Sequence, residues 1–156
     1  MSSQQAAEIV DADVTVVPSK SIPQGLTALF QYYEPETLEG NRETMMGVLG
    51  DVVSGAMTHA VRDTSIDGVD IKSGAFIGLK NDKIVSSSND ALEVCQALLN
   101  EILKGDKEIL TVIVGEDADD KVTSALTTWL EDTHPDVEVE VHQGKQPIYP
   151  YLFGAE

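Results

Sequence analysis

Residues 109–114 read ILTVIV, apolar at every position but one. Such a run cannot alternate between a core face and a wet face, so it predicts a strand at the centre of a sheet, covered on both sides. The segments beside it change period. Before it, Leu92, Val94, Cys95, Leu98, Leu99, Ile102 and Leu103 recur at helical spacing, between a cap at Asn89 or Asp90 and a stop at Gly105. After it, GEDADD turns into a helix expected over Asp120–Asp132, with Val122, Leu126, Trp129 and Leu130 inward. Val137, Val139 and Val141 then alternate with Glu138, Glu140 and His142, as in a half-exposed strand. Helix, buried strand, helix, strand is the order of an α/β domain.

The first half is less regular. Gln4–Val10 reads as the end of a helix, and a domain opening mid-helix suggests missing sequence upstream. Val14–Val17 (VTVV) reads as a short strand stopped by Pro18. Pro23 opens a helix through Tyr33, with Leu26, Leu29, Phe30 and Tyr33 on its apolar face. A second helix is expected over Thr37–Val53, weakened by Gly40, Gly47 and Gly50. Met57, His59 and Val61 then alternate as a strand. Beyond the turn IDG, the strands VDIK, AFIGLK and KIVS are expected as an antiparallel meander, with Asn81-Asp82 as a hairpin turn. Tyr149–Phe153 forms a last strand.

Composition limits what such a chain can do. Its 156 residues suit one domain or two small lobes. Twenty-seven acids against ten bases leave a net charge of -17, which repels nucleic acid and anionic membrane. The acids either serve solubility or steer in a partner with a basic face. No apolar run is long enough to span a bilayer, and MSSQQAAEIVDAD lacks the features of a signal peptide. Cys95 is the single cysteine, which rules out an internal disulfide and fits a cytoplasmic setting. Its place on an apolar helix face predicts a buried structural thiol.

Candidate chemistry is sparse. His59, His134 and His142 have no metal-ligand spacing, and HEXXH, GxSxG, GxGxxG and the Walker loop are absent. GEDADD lacks the glycine and glutamate of a calcium loop, and its acids suit a helix start. The loop PSKSIPQG lies between a predicted strand and a helix, where ligands gather in α/β folds; Ser19, Lys20, Ser21 and Gln24 offer polar contacts there. An ordinary connector accounts for the same residues. Arg62 and Asp63 close a strand beside a turn, as local structure or as a docking point. Tyr149, Tyr151 and Phe153 alternate onto one face of the last strand, with Pro147 and Pro150 suiting an edge strand or its entry. That face belongs either to the core or to a partner.

Three segments together, VTVVPSKSIPQGLTALF, HAVRDTSIDGVDIKSGAFIGLKNDKIV and VEVEVHQGKQPIYPYLFGAE, carry a family pattern of VRD, IDG, GxFIG and a GGQPxYPY-like ending. Here the ending reads QGKQPIYPY, with Lys145 near a usual glycine. Over essentially its whole length the chain resembles the carboxyl-terminal domain of the large subunit of bacterial fatty acid kinase, the DAK2/DhaK-like family. The resemblance implies a DegV-like α/β fold, with residues 1–53 a remnant of a first lobe and 54–156 a second lobe holding a mixed or antiparallel sheet packed by helices. It implies no cofactor in this chain, ATP and magnesium belonging to a separate kinase domain. It implies a non-catalytic role, docking a DegV-like fatty-acid-binding protein whose bound acid is phosphorylated. Ser19, Lys20, Ser21, Gln24, Arg62, Asp63, Tyr149 and Tyr151 are then the candidate partner- or ligand-binding residues, and a homodimer contact could replace the missing half-lobe. A lipid- or small-molecule-binding module with its pocket at the Ser19–Gln24 loop is the rival expectation.

Overall fold

A computed structural model describes residues 2–66 and 69–156. The chain divides into two compact units, Met1–Val52 and Val53–Glu156. The first unit is helical. It holds α1 (Ser3–Ala7), α2 (Ile22–Phe30) and α3 (Leu38–Gly47). Each start is capped by a hydroxyl: Ser2, Ser21 and Thr37 accept from the backbone N–H three residues on. Val14–Val17 is not a strand, because neither sheet offers it a partner and a β-branched run alone leaves its backbone groups unpaired. The second predicted helix stops at Gly47, and residues expected at its end instead lead into a strand starting at Val53.

The second unit is a six-stranded mixed sheet packed by two helices. Its strands are β1 (Val53–His59), β4 (Phe76–Lys80), β5 (Lys83–Ser88), β6 (Ile109–Val114), β7 (Glu138–Gln143) and β8 (Tyr151–Ala155), in the order β5-β4-β1-β8-β6-β7. Only β6 and β7 run parallel, joined through α5 (Asp120–Thr133). β2 (Thr64–Ile66) and β3 (Val69–Ile71) pair with each other in a separate hairpin. VDIK therefore does not continue the meander, which runs β1-β4-β5 alone; Asp67 and Gly68 of the IDG turn lie outside the described residues. The β4–β5 turn is Asn81-Asp82, both at positive φ (47° and 65°), as a two-residue turn matched to strand twist requires.

The core is built by α4 (Ala91–Ile102) and α5 on the sheet. α4 buries Val94, Cys95, Leu98, Leu99 and Ile102, and α5 buries Leu126 and Leu130. They meet Met57, Leu110, Val112, Val114, Tyr151, Phe153 and Ala155 in one cluster, the alternate positions of β1, β6 and β8. Gly78, from the GxFIG motif, lets α4 approach: a Cβ there would meet Leu98 Cβ at 3.2 Å and Val94 Cγ1 at 3.3 Å. Burial pushes the Cys95 thiol up to about 12, as for an inert core side chain.

Two strands sit differently from expectation. β6 is second from the edge, and on its other face Ile109 and Thr111 are only half-buried. β8 is interior, bonded to β1 on one side and β6 on the other, with every residue buried. It is not an edge strand; Pro150 stands at its entry, before the ladder needs an N–H.

Candidate functional site

One end of the sheet gathers the unusual chemistry. There β1 and β6 finish, β8 begins and the N-termini of α4 and α5 arrive. A cleft of about 350 Å³ opens between them, lined by residues including His59, Phe76, Asp90, Asp117, Asp119 and Tyr151. The His59 ring packs on Phe76 with centroids 4.4 Å apart. Asp90 and Asp119 are helix caps, accepting from Glu93 N at 3.1 Å and Lys121 N at 2.8 Å, so part of their capacity is committed. Below them the Tyr151 hydroxyl lies 2.7 Å from Thr123 Oγ1 and donates to the Asp119 carbonyl at 3.2 Å. Burial, first of several influences, raises the pKa of Tyr151 above the ordinary phenol value.

The loop that precedes β8 explains the QGKQPIYPY ending. The N–H groups of Gly144 and Lys145 both donate to the Val114 carbonyl; Gly115 donates to Pro150 O and Glu116 to Gln146 O. The Gln146 side chain donates to Ile113 O and Tyr149 O. Gly115 is obligatory, since a Cβ there would stand 2.3 Å from the Tyr149 carbonyl oxygen. Within this weave Tyr149 N–H donates to Pro147 O at 2.8 Å while Ile148 sits at φ 74°. That is a γ-turn of the rare, strained hand, at a β-branched residue. Thr58 Oγ1 holds the Ile148 carbonyl at 2.7 Å, leaving the Ile148 side chain 68% exposed.

The aromatic alternation therefore breaks. Tyr151 and Phe153 stack within the core at a 6.0 Å centroid distance, whereas Tyr149 precedes the strand and is partly exposed. Tyr151, at 1% exposure, presents no ring to a partner.

Arg62 and Asp63 follow β1. Asp63 accepts from Ser73 N at 2.8 Å and pairs with Lys72 Nζ at 3.5 Å, which hold its carboxyl below the usual range, the backbone bond first. It thereby staples the base of the β2–β3 hairpin. Arg62 makes no ion pair among the described residues and is exposed beside Val61, which is 90% exposed. In the Met1–Val52 unit, the Ser19–Gln24 loop is internally bonded. Ser21 caps α2, Lys20 N donates to Gln24 Oε1 at 2.9 Å, Gln24 Nε2 reaches Leu49 O at 3.0 Å, and Ser19 N donates to Val17 O. Sequence reasoning missed Gln146, Ile148, Gly115 and Thr58. Gly115, directly after the nearly continuous apolar strand, was the available signal; the others depend on contacts far apart in sequence.

Among the described residues no group of three His, Cys, Asp or Glu side chains could hold a metal, and no helix is long and apolar enough to cross a membrane. The geometry defines an α/β domain whose distinctive residues build a loop surface at one end of a mixed sheet. The chain belongs to the FakA-like family of fatty acid kinase C-terminal domains, whose pattern matches residues 1–156. It is 57% identical over 156 residues to two proteins of Staphylococcus aureus, "Uncharacterized protein SAR1202" of strain MRSA252 and "Uncharacterized protein SAUSA300_1119" of strain USA300. The match takes in all of this chain but 28% of each relative's length.

Proposed function

We propose that this chain is the non-catalytic carboxyl-terminal domain of a fatty acid kinase large subunit. It docks a DegV-like acyl-binding subunit, so that the bound fatty acid carboxylate reaches a kinase domain elsewhere in the longer protein. ATP and magnesium belong to that kinase domain. In this reading residues 1–53 are the remnant of a first DegV-like lobe, residues 54–156 are the second, and the complex works in the cytoplasm. Family membership supports the setting, and one observation carries the docking role. Val61 and Arg62 are both exposed just past the end of β1, and the neighbouring carboxylate of Asp63 is engaged by Ser73 and Lys72 instead. An apolar side chain beside a guanidinium with no ion pair among the described residues is the chemistry of an interface anchor. A lipid or small-molecule pocket at Ser19–Gln24 has no comparable support, because the Ser21 hydroxyl caps α2 and the Gln24 side chain is taken up by Lys20 N and Leu49 O.

The test is a titration of the chain with the same cell's DegV-like protein, loaded with fatty acid or empty. Saturable binding is expected. Absence of a complex in both forms would overturn the docking role.

A further inference from the structure

Helix α2 turns much of its apolar side to water. Ile22, Leu26, Leu29 and Phe30 fall within about 100° of arc at helical spacing, and Tyr33 follows just past the helix end. Ile22 is 55% exposed, Leu29 59%, Phe30 77% and Tyr33 64%; Leu26 between them is half-buried, and Pro23 and Ala28 are buried. An amphipathic helix ordinarily packs its apolar stripe inward. Single surface hydrophobics need no explanation, but a contiguous stripe marks a contact surface.

The stripe is held in place. Ser21 caps its start and Gln24 ties it to the Leu49 carbonyl. Asn41, 6% exposed, clamps its exit by accepting from Tyr33 N at 2.8 Å and donating to Tyr33 O at 2.9 Å. Acids follow in sequence: Glu34, Glu36 and Glu39. The bases of residues 2–52 are Lys20 and Arg42, and Arg42 is paired with Glu39 at 3.1 Å.

We infer that the α2 stripe is a docking face for a polypeptide segment whose contact surface is apolar at its centre and rich in Lys and Arg at its rim. Charge selects this occupant. A second copy would bring another net charge of -17 against the first, and an anionic bilayer is repelled in the same way. A basic rim is attracted and steered. The inference does not depend on the Val61–Arg62 corner.

The probe is a labelled amphipathic helical peptide of about 18 residues, five turns, with leucines on one face and lysines on the other. Its binding to the whole chain is followed by fluorescence anisotropy. Saturable binding is expected, weakened at least about tenfold by Leu29→Ser with Phe30→Ser and unchanged by Val61→Ser. Both substituted residues are mostly exposed, so the melting curve should hold; should the double variant unfold, Phe30→Ser alone carries the test. Binding indifferent to these substitutions overturns the inference, as does equal affinity for a leucine/glutamate peptide. Self-association of the wild type that the double variant abolishes would assign the stripe to a second copy instead. Capture by phosphatidylcholine vesicles, lost in the same variant, would assign it to lipid. Loss of the DegV-like titration with retention of peptide binding would remove the docking proposal and leave this one standing.

Discussion

Ile148 departs furthest from its own preferences: a β-branched residue at φ 74°, with its side chain largely in water. Backbone strain of this kind costs on the order of 1–3 kcal/mol and persists only where its surroundings enforce it. Here Thr58, Gln146 and the Pro147 carbonyl enforce it. Ile148→Gly should therefore stabilise the chain by about 1 kcal/mol, raising the melting temperature by roughly 2–4 °C. A lower melting temperature would mean that the side chain contributes more than the turn costs. Cys95 sets a pH dependence. Its folded pKa lies near 12 against an ordinary value of 9.0, so the unfolded chain loses that proton first as pH rises. The contribution is whole below about pH 9 and is lost progressively toward pH 12. Tyr151, also raised by burial, acts in the same direction above pH 10. Urea melts across this range should show falling stability, with a shallower fall in Cys95→Ala. Cys95 was legible in the sequence because helical spacing alone puts it among leucines. Tyr149 was misplaced because alternation counts residues and does not see that the γ-turn and Pro150 delay the strand to Tyr151.

At the scale of elements, the strongly periodic segments were legible: α4, β6, α5 and β7 all form close to where hydrophobic spacing puts them. The Asn81-Asp82 hairpin was legible from turn chemistry. What failed had no local cause. VTVV has strand propensity but no pairing partner, and VDIK has a partner on its other side. The interior position of β8 was invisible, because its neighbours β1 and β6 lie far upstream in the sequence. That position makes β8 the strand on which the sheet depends most. Phe153 has no exposure and sits in the core cluster, in register with Gly55 of β1 and Val112 of β6, so Phe153→Ala should cost about 3–5 kcal/mol. Chemical denaturation measures this; a loss under about 1 kcal/mol would contradict the core described for this unit.

For the whole molecule, charge sets the terms. A net charge of -17 gives a field felt well beyond contact at low salt. Association with a basic partner should slow as the Debye length falls from about 30 Å at 0.01 M salt to about 10 Å at 0.1 M. Stopped-flow mixing with the DegV-like protein reads this, and a flat on-rate would assign the acids to solubility. The candidate site was legible only in part. VRD and the QGKQPIYPY ending drew attention to Arg62 and to the loop before β8, but the cleft and the loop weave arise from tertiary contacts. The central claim is that the corner at Arg62 docks the acyl-binding partner, and one paired measurement bears on it most directly. Wild type and Arg62→Ala are each melted alone and titrated with the DegV-like protein. Loss of an interface arginine costs about 2 kcal/mol, so affinity should fall roughly 30-fold with the melting temperature unchanged. Equal affinity, or a variant that unfolds, would contradict the account.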